Sequence, residues 1–233
     1  MAVNQIKAQS KWSIGGSASV DYSYRFNENG GNIYFWEGKT LNYYEYGQVG
    51  FTVVLKAKYQ LAKRFSIISG LGFWQNNYRT RNISTANLTP IDPNDPIAAL
   101  TDYDFGYSRE YFQIPVLVSF YWGNKLKLGF SAGTAINFAT SQQMTSNFYF
   151  KDKPSVTQSK NLLDKSGSDL LFMSGIIAAG AAYNYNNLEF RLEPTFNCKF
   201  YDISPKSPIS LWNAGLNLSV FYKLKKSLQK TQL

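Results

Sequence analysis

Residues Trp12 to Phe26, WSIGGSASVDYSYRF, alternate so strictly that they separate into two rows. One row reads Trp12, Ile14, Gly16, Ala18, Val20, Tyr22, Tyr24, Phe26; the other reads Ser13, Gly15, Ser17, Ser19, Asp21, Ser23, Arg25. A period of two marks a β-strand with one oily and one polar face. What such a chain can fold into then turns on which face meets water.

The same parity recurs along the chain. Val49, Phe51, Val53, Leu55, Ala57, Tyr59 form a second apolar row, Phe112 to Trp122 a third and Leu126 to Phe138 a fourth. Leu188 to Phe200 and Trp212 to Tyr222 complete six clear strands. Two weaker segments each close a hairpin: Arg64 to Asn76, interrupted by Gly70 and Gly72, and Leu170 to Tyr185, whose LLFMSGIIAAGAA would also suit a short buried helix. The expected total is about eight strands.

Connections are short at 61–63, Gly123-Asn124 and 184–187, and long at 27–40, 77–108, 140–169 and 202–207. Short turns at one end and long loops at the other describe an up-and-down meander with both termini on the short-turn side. Residues 11–224 then form one domain, 1–10 a leading segment and 225–233 a basic tail. Turn formers such as PIDPNDP fall in the long loops, where local disorder is also expected.

A soluble lipocalin-like barrel and a membrane barrel share this alternation but point it in opposite directions. The clear strands bring roughly forty residues to their apolar face, many of them large, and an eight-stranded barrel has room inside only for ordinary side chains. They cannot all point inward. The polar row is small where a lumen is tightest, as at Ser13, Gly15, Ser17, Ser19 and at Gly129, Ser131, Gly133, Ala135.

Aromatic side chains gather at both strand ends. Trp12, Tyr59, Phe65, Phe120, Trp122 and Tyr222 lie at the short-turn end, and Tyr22, Tyr24, Tyr43, Phe112, Phe138, Phe200 and Trp212 at the other, the pattern of two interfacial girdles. The rows between carry no charge, which matters because Lys or Arg at a bilayer midplane costs about 2–4 kcal/mol. The chain has no apolar run long enough for a transmembrane helix, and its mean hydropathy is −0.28. Alternation hides membrane strands from that average. The expectation is an all-β, closed antiparallel up-and-down transmembrane β-barrel with its oily rows toward lipid. Pro115 and Pro194 are expected to cause a bulge or a local break, since neither donates to a ladder.

Histidine is absent. That removes Ser-His-Asp, Cys-His and His-based metal chemistry, and no pair of acids has convincing spacing in a cleft. The chain reads as non-enzymatic, with no catalytic, cofactor or metal residue assigned. The single cysteine, Cys198, forms no intrachain disulfide and sits as a small residue on a strand.

Within the polar rows, Glu189, Arg191 and Glu193 on the seventh strand face the level of Lys56 and Lys58 on the second, with Asp21 and Arg25 higher on the first. Buried charges in a narrow lumen demand partners, so these seven are expected to form an interior ion network, with a gated proton or ion path as the alternative. Asp92, Asn94 and Asp95 offer oxygens for calcium, though Pro93 and Pro96 favour ordinary turn chemistry.

The net charge is +9. Lys223, Lys225, Lys226 and Lys230 gather with Lys63, Arg64, Lys125 and Lys127 at the short-turn end, as a rim near headgroups or a docking surface. Nucleic-acid binding is not expected, because aromatic and basic side chains occupy opposite faces.

WSIGGSASVDYSYRF, YQLAKRFSIISGLGF, YFQIPVLVSFYW with its Ile114-Pro115, and LEPTFNCKFYDISPKSPISLWNAGLNLSVFYKL together resemble the small outer-membrane β-barrel domains of Bacteroidota, including PorT-like proteins and the barrels of transenvelope anti-sigma factors. The resemblance covers about Lys11 to Leu224 and rests on pattern and spacing. It implies an outer-membrane location with periplasmic termini and extracellular long loops, outer-membrane lipid as surroundings, and a protein partner in the envelope. The implied role is an anchor or subunit of a signalling, secretion or assembly complex. The alternatives are a small-molecule binding or narrow transport barrel and a soluble lipocalin-like carrier. The N-terminus MAVNQIKAQSK lacks the apolar core of a signal peptide and reads as a mature start or the cut edge of a longer chain.

Overall fold

The computed structural model describes residues 9–27, 45–85, 99–162, 170–203 and 209–225. Ten strands follow in chain order: β1 (Gln9–Asn27), β2 (Glu45–Gln60), β3 (Phe65–Thr80), β4 (Ile83–Ser84), β5 (Leu100–Gly123), β6 (Leu126–Phe150), β7 (Val156–Asn161), β8 (Leu171–Tyr185), β9 (Leu188–Asp202) and β10 (Ile209–Lys225). All pairings are antiparallel. Eight of the strands form a ring, in the order β1, β2, β3, β5, β6, β8, β9, β10, and β1 closes it by pairing with β10 from Gln9↔Lys225 to Asn27↔Ile209. Both weakly signalled segments, including the one that suited a helix, are ring strands.

Parity sets the two faces as the sequence requires. Val53, Leu55, Val118, Leu216 and Leu218 stand exposed on the outside, with Leu55 73% accessible. Their neighbours Val54, Lys58, Leu117, Ser119, Asn217 and Ser219 are buried on the inside. The protein is therefore greasy outside and polar within, the reverse of a water-soluble barrel. At the short-turn end Gly123 adopts φ 117° and Asn186 φ 53°, left-handed conformations that glycine and asparagine tolerate best.

Both prolines act without a bulge. β5 runs in register past β6 through Pro115↔Ala135, while its pairing with β3 lapses between Ser69↔Val116 and Gly72↔Gln113 and resumes in the same register. β9 likewise pairs with β10 through Leu216↔Pro194, and its pairing with β8 lapses between Ala178↔Thr195 and Ala181↔Leu192. Each missing N–H thus interrupts one ladder and leaves the other whole.

The long loops are shorter than the alternation indicates. β5 begins at Leu100 and β6 ends at Phe150, whereas 77–108 and 140–169 are expected as connections. A tilted strand needs only about 9–11 residues to cross a bilayer, so the 24 and 25 residues of β5 and β6 project well beyond the apolar belt. There β4 flanks β5 and β7 flanks β6, making an open sheet. On β5 the extension carries a short aromatic row, Tyr103, Phe105 and Tyr107, alternating with Asp102, Asp104 and Gly106, whereas every residue of β7 is exposed and carries no such row. Tyr43, Asp92, Asn94, Asp95, Lys226 and Lys230 lie outside the described residues.

The orientation has a direct consequence. Val53→Lys, at mid-height on the outer face, is expected to lower unfolding free energy by about 2–4 kcal/mol, measured by denaturant titration in lipid vesicles.

Candidate functional site

The lumen is filled in layers. Nearest the short turns, Lys58 Nζ donates to Glu189 Oε1 at 2.6 Å and Arg191 Nε donates to the same oxygen at 2.7 Å. The Arg191 guanidinium lies 4.5 Å from the Tyr121 ring and 5.1 Å from the Phe221 ring, and Lys58 Nζ lies 5.0 Å from Phe221. These ring faces solvate cations that the single carboxylate shares. The Tyr121 hydroxyl donates to Glu193 at 2.7 Å.

Above this cluster, Asp21 accepts from Ser19 Oγ and from Thr52 Oγ1, while Lys56 Nζ donates to Ser219 Oγ at 3.3 Å. Trp74, Tyr111, Phe172 and Leu211 come next, all fully buried and packed on one another. Ring centroids are 5.1 Å apart for Trp74–Tyr111 and for Tyr111–Phe172. This layer packs across the lumen from β3, β5, β8 and β10. Beyond it Arg25 pairs with Glu45 and lies over the stacked rings of Tyr78 and Tyr107, whose centroids are 4.8 Å apart.

The seven charged residues singled out from the sequence thus lie in the lumen at three levels. Lys58, Glu189 and Arg191 share one ion cluster; Lys56, Asp21 and Glu193 occupy the next level without joining it; Arg25 stands apart with Glu45. Glu45 escapes the parity rule. β2 shifts register against β3 between Gly47 and Thr52, and that irregularity turns an outward position inward. Trp74 and Tyr111 were legible in principle, since they sit one residue out of phase with Phe73 and Phe112, but a polar row carrying large rings contradicts a lumen of small side chains.

The girdle residues sit on the outer surface near the strand ends. Trp12 packs on Tyr59 with centroids 4.8 Å apart, and Trp122 and Tyr222 are exposed at the same end. Tyr24 packs on Trp212 at 5.5 Å, with Tyr22 and Phe138 exposed at the long-loop end. Of the basic rim, Lys63, Arg64, Lys125 and Lys225 are exposed, while Lys223 Nζ donates to Asn184 Oδ1 at 3.0 Å.

The projecting sheet holds one further polar centre. Arg79 donates to Asp104 through Nε at 2.8 Å and Nη2 at 2.9 Å, joined by Asn147 Nδ2 at 2.9 Å and the Tyr149 hydroxyl at 2.8 Å. Burial of Asp104 opposes ionisation, but the hydrogen bonds from Arg79, Asn147 and Tyr149 and the Arg79 charge outweigh it. They hold its carboxyl below the usual 3.8. Among the described residues no group of three or more metal-ligating side chains occurs.

With this geometry in view, residues 5–203 match the family model described as outer membrane protein beta-barrel domain. The chain belongs to that family. Its setting is accordingly the outer membrane. No curated protein matches the sequence. Among solved structures, Neisserial surface protein A is similar at 9% identity and a TM-score of 0.46, covering 93% of this chain and 99% of that one. Ail of Yersinia pestis, in complex with the heparin analogue sucrose octasulfate, shares 12% identity at a TM-score of 0.40, covering 91% and 99%. The outer membrane protease OmpT of Escherichia coli shares 10% at 0.40, covering 94% and 98%.

Three outcomes follow from the charges. Glu189→Gln leaves Lys58 and Arg191 buried without their carboxylate and is expected to cost about 3–5 kcal/mol in vesicle unfolding titrations. Lys58→Met should cost less, because Arg191 still neutralises Glu189. At Asp104 the folded value is depressed, so the stabilisation is complete above the ordinary 3.8 and is lost as pH falls through the lower folded value. Hydrogen exchange in 100–108 and 143–150 should therefore accelerate in acid, and Asp104→Asn should remove that acid-dependent step.

Proposed function

We propose that this protein is a non-enzymatic outer-membrane barrel serving as an anchor or subunit of an envelope signalling, secretion or assembly complex, working through its two rims. One observation carries the reading: Trp74, Tyr111 and Phe172 pack across the lumen at 0% exposure. A barrel closed in this way has its accessible chemistry at its ends. Eight strands ordinarily leave no continuous channel, which supports the same view.

Bacterial barrels keep short turns on the periplasmic side and longer loops outside. On that rule Gln9 and Lys225 are periplasmic, with Lys63, Arg64 and Lys125 forming a basic rim beside them, and the sheet of β4 to β7 projects from the cell. Trp12, Tyr59, Trp122 and Tyr222 anchor the inner interface; Tyr22, Tyr24, Phe138 and Trp212 anchor the outer one. The seven luminal charges serve to hold the barrel together. The Bacteroidota PorT-like group is the branch whose pattern the chain resembles.

The test has two arms. Purified barrel in planar bilayers should show no steady openings, and steady conductance would overturn the anchor in favour of a transport barrel. A photo-crosslinker placed at Lys125 or Thr157 in the native envelope should trap a protein partner, while one at Val53 should label lipid alone; recovery of an uncrosslinked barrel from both rim positions defeats the complex-subunit role.

A further inference from the structure

Between the ion cluster and the aromatic layer lies a cavity of about 70 Å³, enough for a handful of waters. Asp21, Lys56 and Glu193 line it. None of the three belongs to an ion pair among the described residues. Asp21 is held by Ser19 Oγ at 2.8 and 3.0 Å and by Thr52 Oγ1 at 2.5 Å. Glu193 accepts from Tyr121 at 2.7 Å, Ser131 at 3.2 Å and Asn217 at 3.5 Å. Two carboxylates against one ammonium leave the wall with one negative charge. Lys58 and Arg191, which carry the surplus positive charge of the neighbouring cluster, do not line the cavity.

Three more lining side chains complete the picture. Gln113, Asn197 and Asn213 are 2%, 8% and 5% exposed, and each has a side-chain oxygen without a hydrogen-bond donor. Space for Asp21 is also built in: a Cβ on Gly215, its cross-strand partner, would stand 2.0 Å from Asp21 Oδ1. Buried acceptors without donors are costly, and so is a carboxylate held apart from the cation that balances it in the neighbouring cluster. One kind of guest answers both, a hard cation that takes carboxylate, amide and water oxygens. A single positive charge balances the wall, and Lys56 disfavours a doubly charged ion.

We propose that this cavity binds a monovalent cation of the sodium or potassium kind, held between Asp21 and Glu193 with part of its water shell. The ion neutralises the middle of the lumen and ties β1 to β9 across it. Lys56 competes with the guest for the same carboxylates and tempers its affinity.

Thermal unfolding of the intact barrel in detergent tests this in sodium, potassium and N-methylglucamine chlorides at equal ionic strength. The midpoint should be higher in at least one of the small cations than in the bulky one and should rise with its concentration. Asp21→Asn and Glu193→Gln should each erase the difference between cations. Lys56→Met removes a charge and no oxygen ligand, so it should tighten the apparent affinity by roughly tenfold or more at an effective dielectric near 20. Crystals soaked in thallium(I) should show anomalous density between the two carboxylates. Equal midpoints in all three salts, a cation effect that survives both carboxylate changes, or density for water alone would overturn the site. Should the carboxylate variants fail to fold, Lys56→Met decides, since an unchanged affinity counts against the proposal.

Discussion

Closure of the backbone ladder is the constraint on which this structure depends. In hydrocarbon an unpaired N–H or C=O has no water to turn to and costs several kcal/mol. The pairing of β1 with β10 therefore matters more than any side-chain contact, because it removes the last two edges. The prolines show how firmly the rule holds. Pro115 and Pro194 each withdraw a donor, yet the ladder on the opposite side of each runs through in register, and no bulge spreads the loss.

A ring of eight strands also sets the lumen's width, and width decides its contents. There is too little room for a water column and too little polarity for isolated charges. The interior answers with stacked layers: Lys58 and Arg191 share Glu189, Tyr121 and Phe221 shelter them, and Trp74, Tyr111 and Phe172 pack on one another across the lumen. Above the belt the constraint lapses. β8 stops pairing with β6 at Phe138↔Leu171, β7 takes its place from Gln143↔Asn161, and the closed ring opens into a sheet. Water can satisfy that sheet's edges, which is why polar groups such as Asp104 and Arg79 can hold it together.

Parity made much of this legible. The outward face of Val53 and the inward face of Lys58 follow from their places in the alternation, and so do the luminal positions of Glu189, Arg191 and Glu193. Glu45 could not be placed, because one irregularity in β2 reverses the phase beyond it. The row of Tyr103, Phe105 and Tyr107 in upper β5 was legible as well, although it falls inside the segment 77–108 expected as a loop; upper β6 offers no comparably clear row. Arg25 and Asp21 share a row and stand four residues apart, yet find different partners, since each meets whatever the register of the adjacent strand β2 brings level with it, Glu45 for one and Thr52 for the other.

By itself the sequence determined the strand period, the oily exterior, the meander of about eight strands and the absence of histidine chemistry, because each is written in consecutive residues and needs no knowledge of distant ones. Only the tertiary structure decided which charges meet, which rings pack across the lumen, and that Asp21, Lys56 and Glu193, outside the ion pairs, line a cavity. Those facts depend on register between residues 200 or more apart in the chain, as in Ala18↔Leu218 and Gln9↔Lys225. A shift of one residue there would reverse every side chain, and local pattern holds no record of it.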